Sequence, residues 1–262
     1  MPLLYEKKGH VALLTLSRPE ARNAWGQDYA EGLIRRLEEA AEDDEVRCAV
    51  LTGDEAGGAF SAGAYLKDPK THAIDSAAAF IKSLPSWHNH PFEVVGRFPK
   101  PLVGAVNGYA IGIGCLITLC CDLLVASEKA EWRLTQTSLG ILPAYGGGPR
   151  LARWVGRGPA MRLALGFPLA AEEAYRIGLA QWLVPHDGLM AKTMEVAEHI
   201  AALPPLAARL TKESVVRGLD IPNLSDAART DIYRFMALEL TEDKAEAHAA
   251  WRERRQPEIK GR

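Results

Sequence analysis

The stretch NGYAIGIGCLITLCCD, residues 107–122, is almost entirely apolar or glycine and carries a single charge at its end, Asp122. Apolar runs flank it, PLVGAV before and LLVAS after, so the whole segment is almost long enough to cross a bilayer. Glycines, Asn107 and Thr118 interrupt it, however, and no Lys/Arg asymmetry at its flanks marks an orientation. The sequence therefore predicts a segment that is buried inside a globular protein.

Composition and charge narrow the classes of protein further. The chain has 262 residues, of which 48% are hydrophobic, enough for one large or two small domains with a sizeable core. A formal net charge of -2 gives no electrostatic reason to expect nucleic acid or an anionic membrane as a partner. The N-terminal residues show no basic start followed by an apolar stretch and a small-residue cleavage site, so we expect a cytoplasmic location.

The cysteines do not indicate a metal site. The four cysteines form no C-x-x-C pair, and no histidine stands at ligand spacing from them, so we expect no bound metal. Cys120 and Cys121 are neighbours in an apolar run, which predicts that they are buried as small hydrophobic side chains.

Periodicity divides the chain into two regions. Strand patterns at 10–17, 46–53, 101–106 and 123–127 alternate with helical patterns, which favours βα units and a mostly parallel, buried sheet. From about residue 157 onward the patterns are helical, except for one strand pattern, QWLVP. We expect a core over residues 1–200 and a C-terminal helical region over residues 201–262.

Two glycine-rich turns stand where chemistry could take place. GAFSAGAYL (58–66) follows one predicted strand, and NGYAIGIG (107–114) follows another and opens a predicted helix. Neither turn fits the phosphate-binding patterns G-x-x-x-x-G-K-[ST] or G-x-G-x-x-G. Brought together, they would direct two backbone N–H groups at one oxygen atom, as an oxyanion hole does. The alternative, that these glycines serve only close packing, fits the pattern equally well.

Four motifs carry a resemblance to a known family. LSRPEARNA (16–24), FSAGAYLK (60–67), the segment 99–130 and LGILPAYGGGPRL (139–151) occur in the order found in the enoyl-CoA hydratase/isomerase (crotonase) superfamily, which the chain resembles over nearly its whole length. The resemblance implies an α/β fold with a spiral core of stacked ββα turns and a C-terminal helical region that trimerises. It also implies an acyl-CoA thioester substrate, with coenzyme A as part of that substrate and no separate cofactor. The partners expected from it are further copies of the chain, in a homotrimer or a dimer of trimers.

The resemblance also assigns site residues. It places the oxyanion-hole donors at the backbone N–H groups of Ala64 and Ile113, although family members usually have glycine at the second position. Two residues of the last helix, Trp251 and Arg254, would close over the adenine-phosphate end of coenzyme A. The rest of coenzyme A would lie along Arg22, Ala24, Ala62, Ala64, Tyr65, Leu66 and Lys67. The basic cluster RERR at 252–255 thus has two interpretations, a solvated helix end or a phosphate contact.

The chain departs from the family where hydratases need carboxylates. Hydratases of this family hold and activate water with two glutamates, and the corresponding positions here are Leu116 and Gln136. A third acidic position, used by several isomerases and by dehalogenases, is Ala144. A glutamine can hold a water by hydrogen bonds but cannot accept its proton. We therefore expect a reaction other than ordinary two-glutamate hydration.

Other side chains could take the place of the missing acids. Tyr65 stands where the family commonly has aspartate, and Tyr145 lies in the loop that lines the acyl pocket; either could donate a proton to an enolate, or both could simply shape the pocket. His88 and His90 precede the central strand, where some members place a histidine or an aromatic residue, and we take His88 as a catalytic candidate. The reactions left open are decarboxylation of a malonyl-type thioester and C–C hydrolysis of a β-ketoacyl-CoA. A catalytically silent acyl-CoA-binding subunit is the alternative outside enzyme chemistry.

Overall fold

The five predicted strand patterns and an unpredicted N-terminal strand form one six-stranded sheet in the computed structural model, which describes residues 3–67 and 76–262. The strands lie in the order β1 (Leu3–Lys8), β2 (Val11–Leu16), β3 (Cys48–Gly53), β5 (Leu102–Val106), β7 (Leu123–Ser127) and β10 (Trp182–Val184). Only β1 and β2 pair antiparallel, and the remaining pairs in this sheet are parallel. The mostly parallel sheet that the sequence predicts is confirmed.

A second, four-stranded sheet is absent from the sequence-based prediction. It contains β4 (Ala59–Ser61), β6 (Tyr109–Ile111), β8 (Glu131–Arg133) and β9 (Leu169–Ala170). These strands show no measurable alternation, so periodicity did not predict them; β10 is equally short, but the apolar run QWLVP indicated it. Each of β4, β6 and β8 follows a strand of the large sheet after a few residues, which stacks the two sheets as successive ββα turns. The spiral ββα core expected from the family resemblance is confirmed.

The helices follow these strand pairs and then fill the C-terminal part. They are α1 (Gln27–Glu42), α2 (Ala77–Ser83), α3 (Pro91–Gly96), α4 (Ile113–Thr118), α5 (Gly147–Val155), α6 (Arg157–Ala164), α7 (Ala171–Arg176), α8 (Leu189–Ala201), α9 (Pro205–Gly218), α10 (Leu224–Glu239) and α11 (Glu242–Glu253). Pro91 occupies the first turn of α3, where its missing N–H costs no intrahelical hydrogen bond. The predicted boundary at residue 200 falls in the last turn of α8, and the division into two regions stays a prediction.

The large sheet is buried on both faces, which explains its nearly continuous apolar strands. One face packs on α8, through side chains that alternate along the strands: Val11, Leu13, Val50, Val103 and Val125 against Leu189, Val196 and Ala197. The opposite face packs on α1, α4 and the second sheet, through Leu14, Leu16, Leu51 and Val106. The period of two within each strand therefore separates two apolar layers.

The segment 107–122 lies inside this second layer. Cys115, Leu116 and Ile117 of α4 are buried, and all four cysteines are buried free thiols, which confirms the predicted burial of Cys120 and Cys121. Burial in apolar surroundings raises the pKa of the Cys115 and Cys120 thiols. Over residues 3–67 and 76–262, no helix is both long enough and apolar enough to cross a membrane.

A buried ion pair fastens α9 to the core. The Lys212 Nζ lies 2.7 Å from Asp122 Oδ2 and also donates a hydrogen bond to the Lys100 carbonyl oxygen at 3.0 Å. The Asp122 carboxylate in addition accepts a hydrogen bond from the Leu102 N–H at 2.7 Å. Both side chains of the pair are largely shielded from solvent, so the charge on each depends on the other.

We expect Lys212→Met to lower the free energy of unfolding by about 3 kcal/mol, because it leaves the Asp122 carboxylate buried without its cation. Urea denaturation at neutral pH measures this loss. Lys8→Met is the matched control, since the Lys8–Glu6 pair lies on the exposed surface of β1 and is expected to contribute less than about 1 kcal/mol. Equal losses in the two variants would contradict the role assigned to Lys212.

Candidate active site

Two short turns meet at one edge of the second sheet. Strands β4 and β6 are parallel neighbours, with Ser61 opposite Ala110, so the residues that follow them emerge side by side. A methyl group built on Gly114 would lie 2.5 Å from the Ser61 carbonyl oxygen, and one on Gly63 would lie 3.0 Å from the Ile111 carbonyl oxygen. The glycines therefore do allow close packing, and that packing is what brings the two turns together.

The two predicted oxyanion donors lie on these turns. Within the described part of the chain, neither the Ala64 N–H nor the Ile113 N–H donates a hydrogen bond, and the same holds for the Gly114 N–H in the first turn of α4. The N–H groups that follow Ala64 and precede Ile113 are engaged. The Tyr65 N–H donates to the Trp25 carbonyl oxygen at 2.7 Å, and the Gly112 N–H donates to the Arg133 carbonyl oxygen at 2.8 Å. The arrangement leaves two backbone donors on adjoining turns for an acceptor outside the chain.

The loop after β2 runs alongside the first of these turns. The Ala62 N–H donates to the Arg22 carbonyl oxygen at 3.0 Å, and the Trp25 N–H donates to the Gly63 carbonyl oxygen at 2.7 Å. These hydrogen bonds place the backbone of 22–25 beside that of 62–65. The structure thus brings together most of the residues predicted to contact coenzyme A, namely Arg22, Ala24, Ala62, Ala64 and Tyr65.

Two buried polar residues that sequence reasoning missed hold this loop in place. Asn23 is fully buried in left-handed backbone (φ 56°), accepts from the Arg18 N–H at 3.0 Å and donates to the Asp54 and Ala59 carbonyl oxygens at 2.9 and 2.7 Å. The Arg18 guanidinium donates to the Ala24 carbonyl oxygen at 2.6 Å and forms an ion pair with Asp28. The sequence could have indicated both residues, because they belong to the motif LSRPEARNA.

Arg18 also supports Tyr65 directly. Its guanidinium carbon lies 4.5 Å from the centre of the Tyr65 ring and 4.7 Å from the centre of the Tyr29 ring, within the range of a cation–π contact. Tyr65 follows Ala64, so this contact fixes the residue next to a predicted oxyanion donor.

The three positions that the family resemblance assigns to acids are Leu116, Gln136 and Ala144, and none is a carboxylate. Leu116 is 2% exposed and packs so tightly on the 143–147 turn that a methyl group on Gly147 would lie 2.4 Å from its Cδ2. The Gln136 side chain reaches the second turn, with its Nε2 3.7 Å from where a methyl group on Gly112 would stand. Its Oε1 is buried and has no hydrogen-bond partner among the described residues. Ala144 is exposed in the turn before α5.

Aromatic rings stand beside the two turns. Tyr145 stacks on His90, with ring centres 4.5 Å apart, and on Phe92, with ring centres 5.1 Å apart. Phe92 in turn stacks on Trp25 at 6.3 Å. His88, the predicted catalytic histidine, has an exposed side chain in the short helical turn 84–89, so the histidine that the structure places in the stack is His90.

The remaining predicted contacts lie on the surface. Leu66 and Lys67 are exposed where the described segment 3–67 ends. Trp251, 82% exposed, lines an open cavity of about 520 Å³ along α11, together with Ala247, His248 and Arg252. Arg254 follows the last residue of α11 in left-handed backbone. Within residues 3–67 and 76–262, no cluster of three His, Cys, Asp or Glu side chains is placed to hold a metal ion.

Comparison with known proteins identifies the relatives of this chain. The sequence profile of the family described as enoyl-CoA hydratase/isomerase matches residues 6–262. A probable enoyl-CoA hydratase of Rhizobium meliloti (strain 1021) is 37% identical over 99% of this chain and 98% of its own length. The 2,3-dehydroadipyl-CoA hydratase of Escherichia coli (strain K12) is 35% identical over 99% of each chain. The crystal structure of an enoyl-CoA hydratase from Bacillus anthracis superposes with a TM-score of 0.91 at 31% identity, over 100% of both chains.

We expect Gly114→Ala to weaken the binding of acyl-CoA and to lower kcat/KM by about 10²-fold, because the added methyl group would press on the Ser61 carbonyl and part the two turns. Calorimetric titration with acetyl-CoA measures the binding. Gly148→Ala is the matched control, since a methyl group there meets nothing within 4 Å. Unchanged binding in Gly114→Ala would contradict the need for close approach.

Burial of His90 predicts a pH dependence of stability. Desolvation lowers the pKa of the His90 imidazole below its ordinary value of 6.5. As the pH falls through this value, the unfolded state binds a proton that the folded state does not, so stability falls. We expect the loss of unfolding free energy between about pH 7.5 and about pH 5.5 to be smaller in His90→Gln than in the unchanged protein.

Urea denaturation at the two pH values tests this expectation. His88→Gln is the matched control, because the His88 side chain is exposed two residues away. The same pH dependence in His90→Gln as in the unchanged protein would show that His90 is not the group responsible.

Proposed function

Because the chain belongs to the enoyl-CoA hydratase/isomerase family, we propose that it is an acyl-CoA enzyme that stabilises a thioester enolate between the backbone N–H groups of Ala64 and Ile113. The observation that carries this proposal is the pair of adjoining turns whose donors have no acceptor among the described residues. Two fixed donors stabilise negative charge that develops on a carbonyl oxygen without reorganising during the reaction. Enzymes of this family need no cofactor beyond the coenzyme A thioester itself.

We propose that coenzyme A lies along the hydrogen-bonded backbone of 22–25 and 62–65, over Arg22, Ala24, Ala62, Ala64 and Tyr65. Leu66 and Lys67 continue this surface, and Trp251 and Arg254 close over the adenine-phosphate end. Support for the last pair is the exposure of an aromatic ring and a cation at the end of α11. In the basic cluster, Arg255 is already held by Glu246 and Glu253, which leaves Arg254 as the better candidate for a phosphate contact.

We also propose that the protein assembles as a homotrimer or a dimer of trimers through its C-terminal helices. Large apolar side chains lie exposed along α9 and α10, among them Val215, Ile232, Tyr233, Phe235 and Met236. An exposed apolar surface of this kind is typical of an interface between subunits.

The reaction that this site supports best is decarboxylation of a malonyl-type acyl-CoA. The bond between the α-carbon and the carboxylate breaks, CO₂ leaves, and the electron pair passes into the thioester enolate held by the two N–H groups. A proton then returns to the α-carbon. This sequence needs no carboxylate base, which fits Leu116, Gln136 and Ala144 at the acid positions.

The polar groups near the second turn have roles in this scheme. The Gln136 amide, which lies beside Gly112, orients the leaving carboxylate or a water molecule. Tyr145 donates the proton to the enolate, with Tyr65 as the second candidate. Tyr65 follows Ala64 in the chain, and Tyr145 is two residues from Gly147, which packs on Leu116 of α4.

A second candidate reaction is hydrolysis of a C–C bond in a β-ketoacyl-CoA. It requires a base to activate water, and the observation in its favour is His90, whose lowered pKa keeps the imidazole neutral near pH 7. His88, the exposed neighbour, would have to reorient to serve in the same role. The experiment below distinguishes both reactions from ordinary hydration and from acyl-CoA binding without catalysis.

We expect the purified protein to release CO₂ from methylmalonyl-CoA and to leave crotonyl-CoA unhydrated, with products read by mass spectrometry. Gln136→Ala is expected to lower kcat for decarboxylation by about 10²-fold, the usual cost of losing one oriented hydrogen-bonding group. Gln256→Ala, which changes an exposed glutamine, is the matched control.

Each other outcome has a definite meaning. Hydration of crotonyl-CoA at ordinary enzyme rates, lost in Gln136→Ala, would contradict the argument from the missing glutamates. Cleavage of a cyclic β-ketoacyl-CoA instead of methylmalonyl-CoA would favour the second reaction. Acyl-CoA binding without turnover of any substrate would indicate a silent subunit, and failure to bind any acyl-CoA would overturn the proposed function itself.

A further inference from the structure

Three aromatic side chains near the candidate site share one orientation. The ring planes of His90 and Phe92 differ by 15°, those of Phe92 and Tyr145 by 4°, and those of His90 and Tyr145 by 15°. Trp25 extends the set, with its ring 28° from the plane of Phe92. We call these four side chains the aromatic wall. Because their planes are so nearly parallel, the wall is a layered, flat surface.

The wall connects the two turns that carry the oxyanion donors. At one end, the backbone of Trp25 is hydrogen-bonded to Gly63 and Tyr65, on either side of Ala64. At the other end, Tyr145 is two residues from Gly147, which packs on Leu116 in the first turn of α4, close behind Ile113. An acyl group whose carbonyl oxygen is held by both donors therefore extends beside this wall.

Tyr145 is more exposed to solvent than Phe92 and Trp25. Phe92 and Trp25 are buried, whereas Tyr145 remains 40% exposed. Its backbone is left-handed (φ 57°), a conformation that tyrosine rarely adopts, and Gly146 continues the turn at φ 80°. The backbone of this turn thus keeps a large ring partly exposed instead of letting it fold into the core.

Among the described residues, the charges beside the wall are paired with one another. The Arg150 guanidinium neutralises Glu93 at 3.0 Å, and Arg18 forms an ion pair with Asp28 near Trp25. Two of the positions that the resemblance assigns to acids contain Leu116 and Ala144. A flat and uncharged surface suits a flat and uncharged group.

We propose that the acyl pocket selects an acyl group that carries a planar aromatic ring, so that the substrate class is an aryl-substituted acyl-CoA. The inference rests on the proposed function, since it assumes an acyl-CoA with its carbonyl at Ala64 and Ile113. An aryl ring packs in an offset stack or edge-to-face against Tyr145 at the separation of 4.5–5.1 Å that the wall itself shows. A puckered saturated ring meets an aromatic face through its C–H groups and lacks the contribution that an aromatic pair makes beyond area burial.

Two non-reactive ligands of equal carbon count test the inference, 3-phenylpropionyl-CoA and 3-cyclohexylpropionyl-CoA. We expect the phenyl ligand to bind roughly 3- to 10-fold more tightly, the range that an aromatic pair contributes beyond area burial. Hydrophobic burial alone predicts the opposite order, because the cyclohexyl group has the larger apolar surface. Calorimetric titration, with acetyl-CoA as the reference ligand, measures all three affinities.

Variants of Tyr145 separate the contribution of its ring from that of its hydroxyl group. Tyr145→Leu is expected to abolish the preference for the phenyl ligand, and Tyr145→Phe to retain it even where turnover is lost. Tyr175→Leu is the matched control, because Tyr175 is a 51% exposed tyrosine on α7 and lies outside the wall. It is expected to keep the full preference.

The outcomes distinguish this inference from the function on which it rests. Equal affinities, or tighter binding of the cyclohexyl ligand, would overturn the aryl preference while leaving acyl-CoA binding intact. Failure of acetyl-CoA and of both longer ligands to bind would overturn the proposed function instead. The comparison of ligands on the unchanged protein decides the matter even if Tyr145→Leu does not fold.

Discussion

The close contact between the turn after β4 and the turn after β6 is the constraint on which the rest of the site depends. Gly114 lies against the Ser61 carbonyl, and Gly63 lies against the Ile111 carbonyl, at distances that leave no room for a side chain. Parallel pairing of the two strands sets this contact, and the stacked ββα turns in turn position the strands. The donors proposed at Ala64 and Ile113 follow from backbone packing, so they need no particular side chain.

Buried polar groups keep the neighbouring loop in register with these turns. Asn23 completes three hydrogen bonds in the interior, and Arg18 combines an ion pair, a carbonyl contact and two ring contacts. Each would be costly to bury without its partners, so the set specifies one arrangement of the loop. The surface proposed for coenzyme A is therefore held by side chains that need not touch it.

The proposed site combines retained charge stabilisation with altered acid–base chemistry. The backbone donors are proposed to remain where the family has them, whereas a leucine, a glutamine and an alanine stand at the positions that the resemblance assigns to acids. The Leu116 side chain also packs against Gly147 and so helps to place the turn that carries Tyr145. In this proposal, the same three residues remove the means of activating water and make the pocket apolar. We therefore propose that both the reaction and the preferred acyl group differ from those of the two-glutamate hydratases.

The sequence by itself determined most of the long elements and the order of the motifs, because strands of five or six apolar residues and amphipathic helices leave a periodic pattern. It also placed the two glycine turns, through motifs that the family shares. The tertiary structure alone revealed β1, β4, β6, β8 and β9. A strand of two or three residues leaves a pattern only where a distinct apolar run such as QWLVP contains it. It alone showed that Asn23 and Arg18 are buried and that His90, two residues from His88, joins the aromatic wall. Side-chain burial and ring stacking depend on partners that are distant in the chain, so no local pattern contains them.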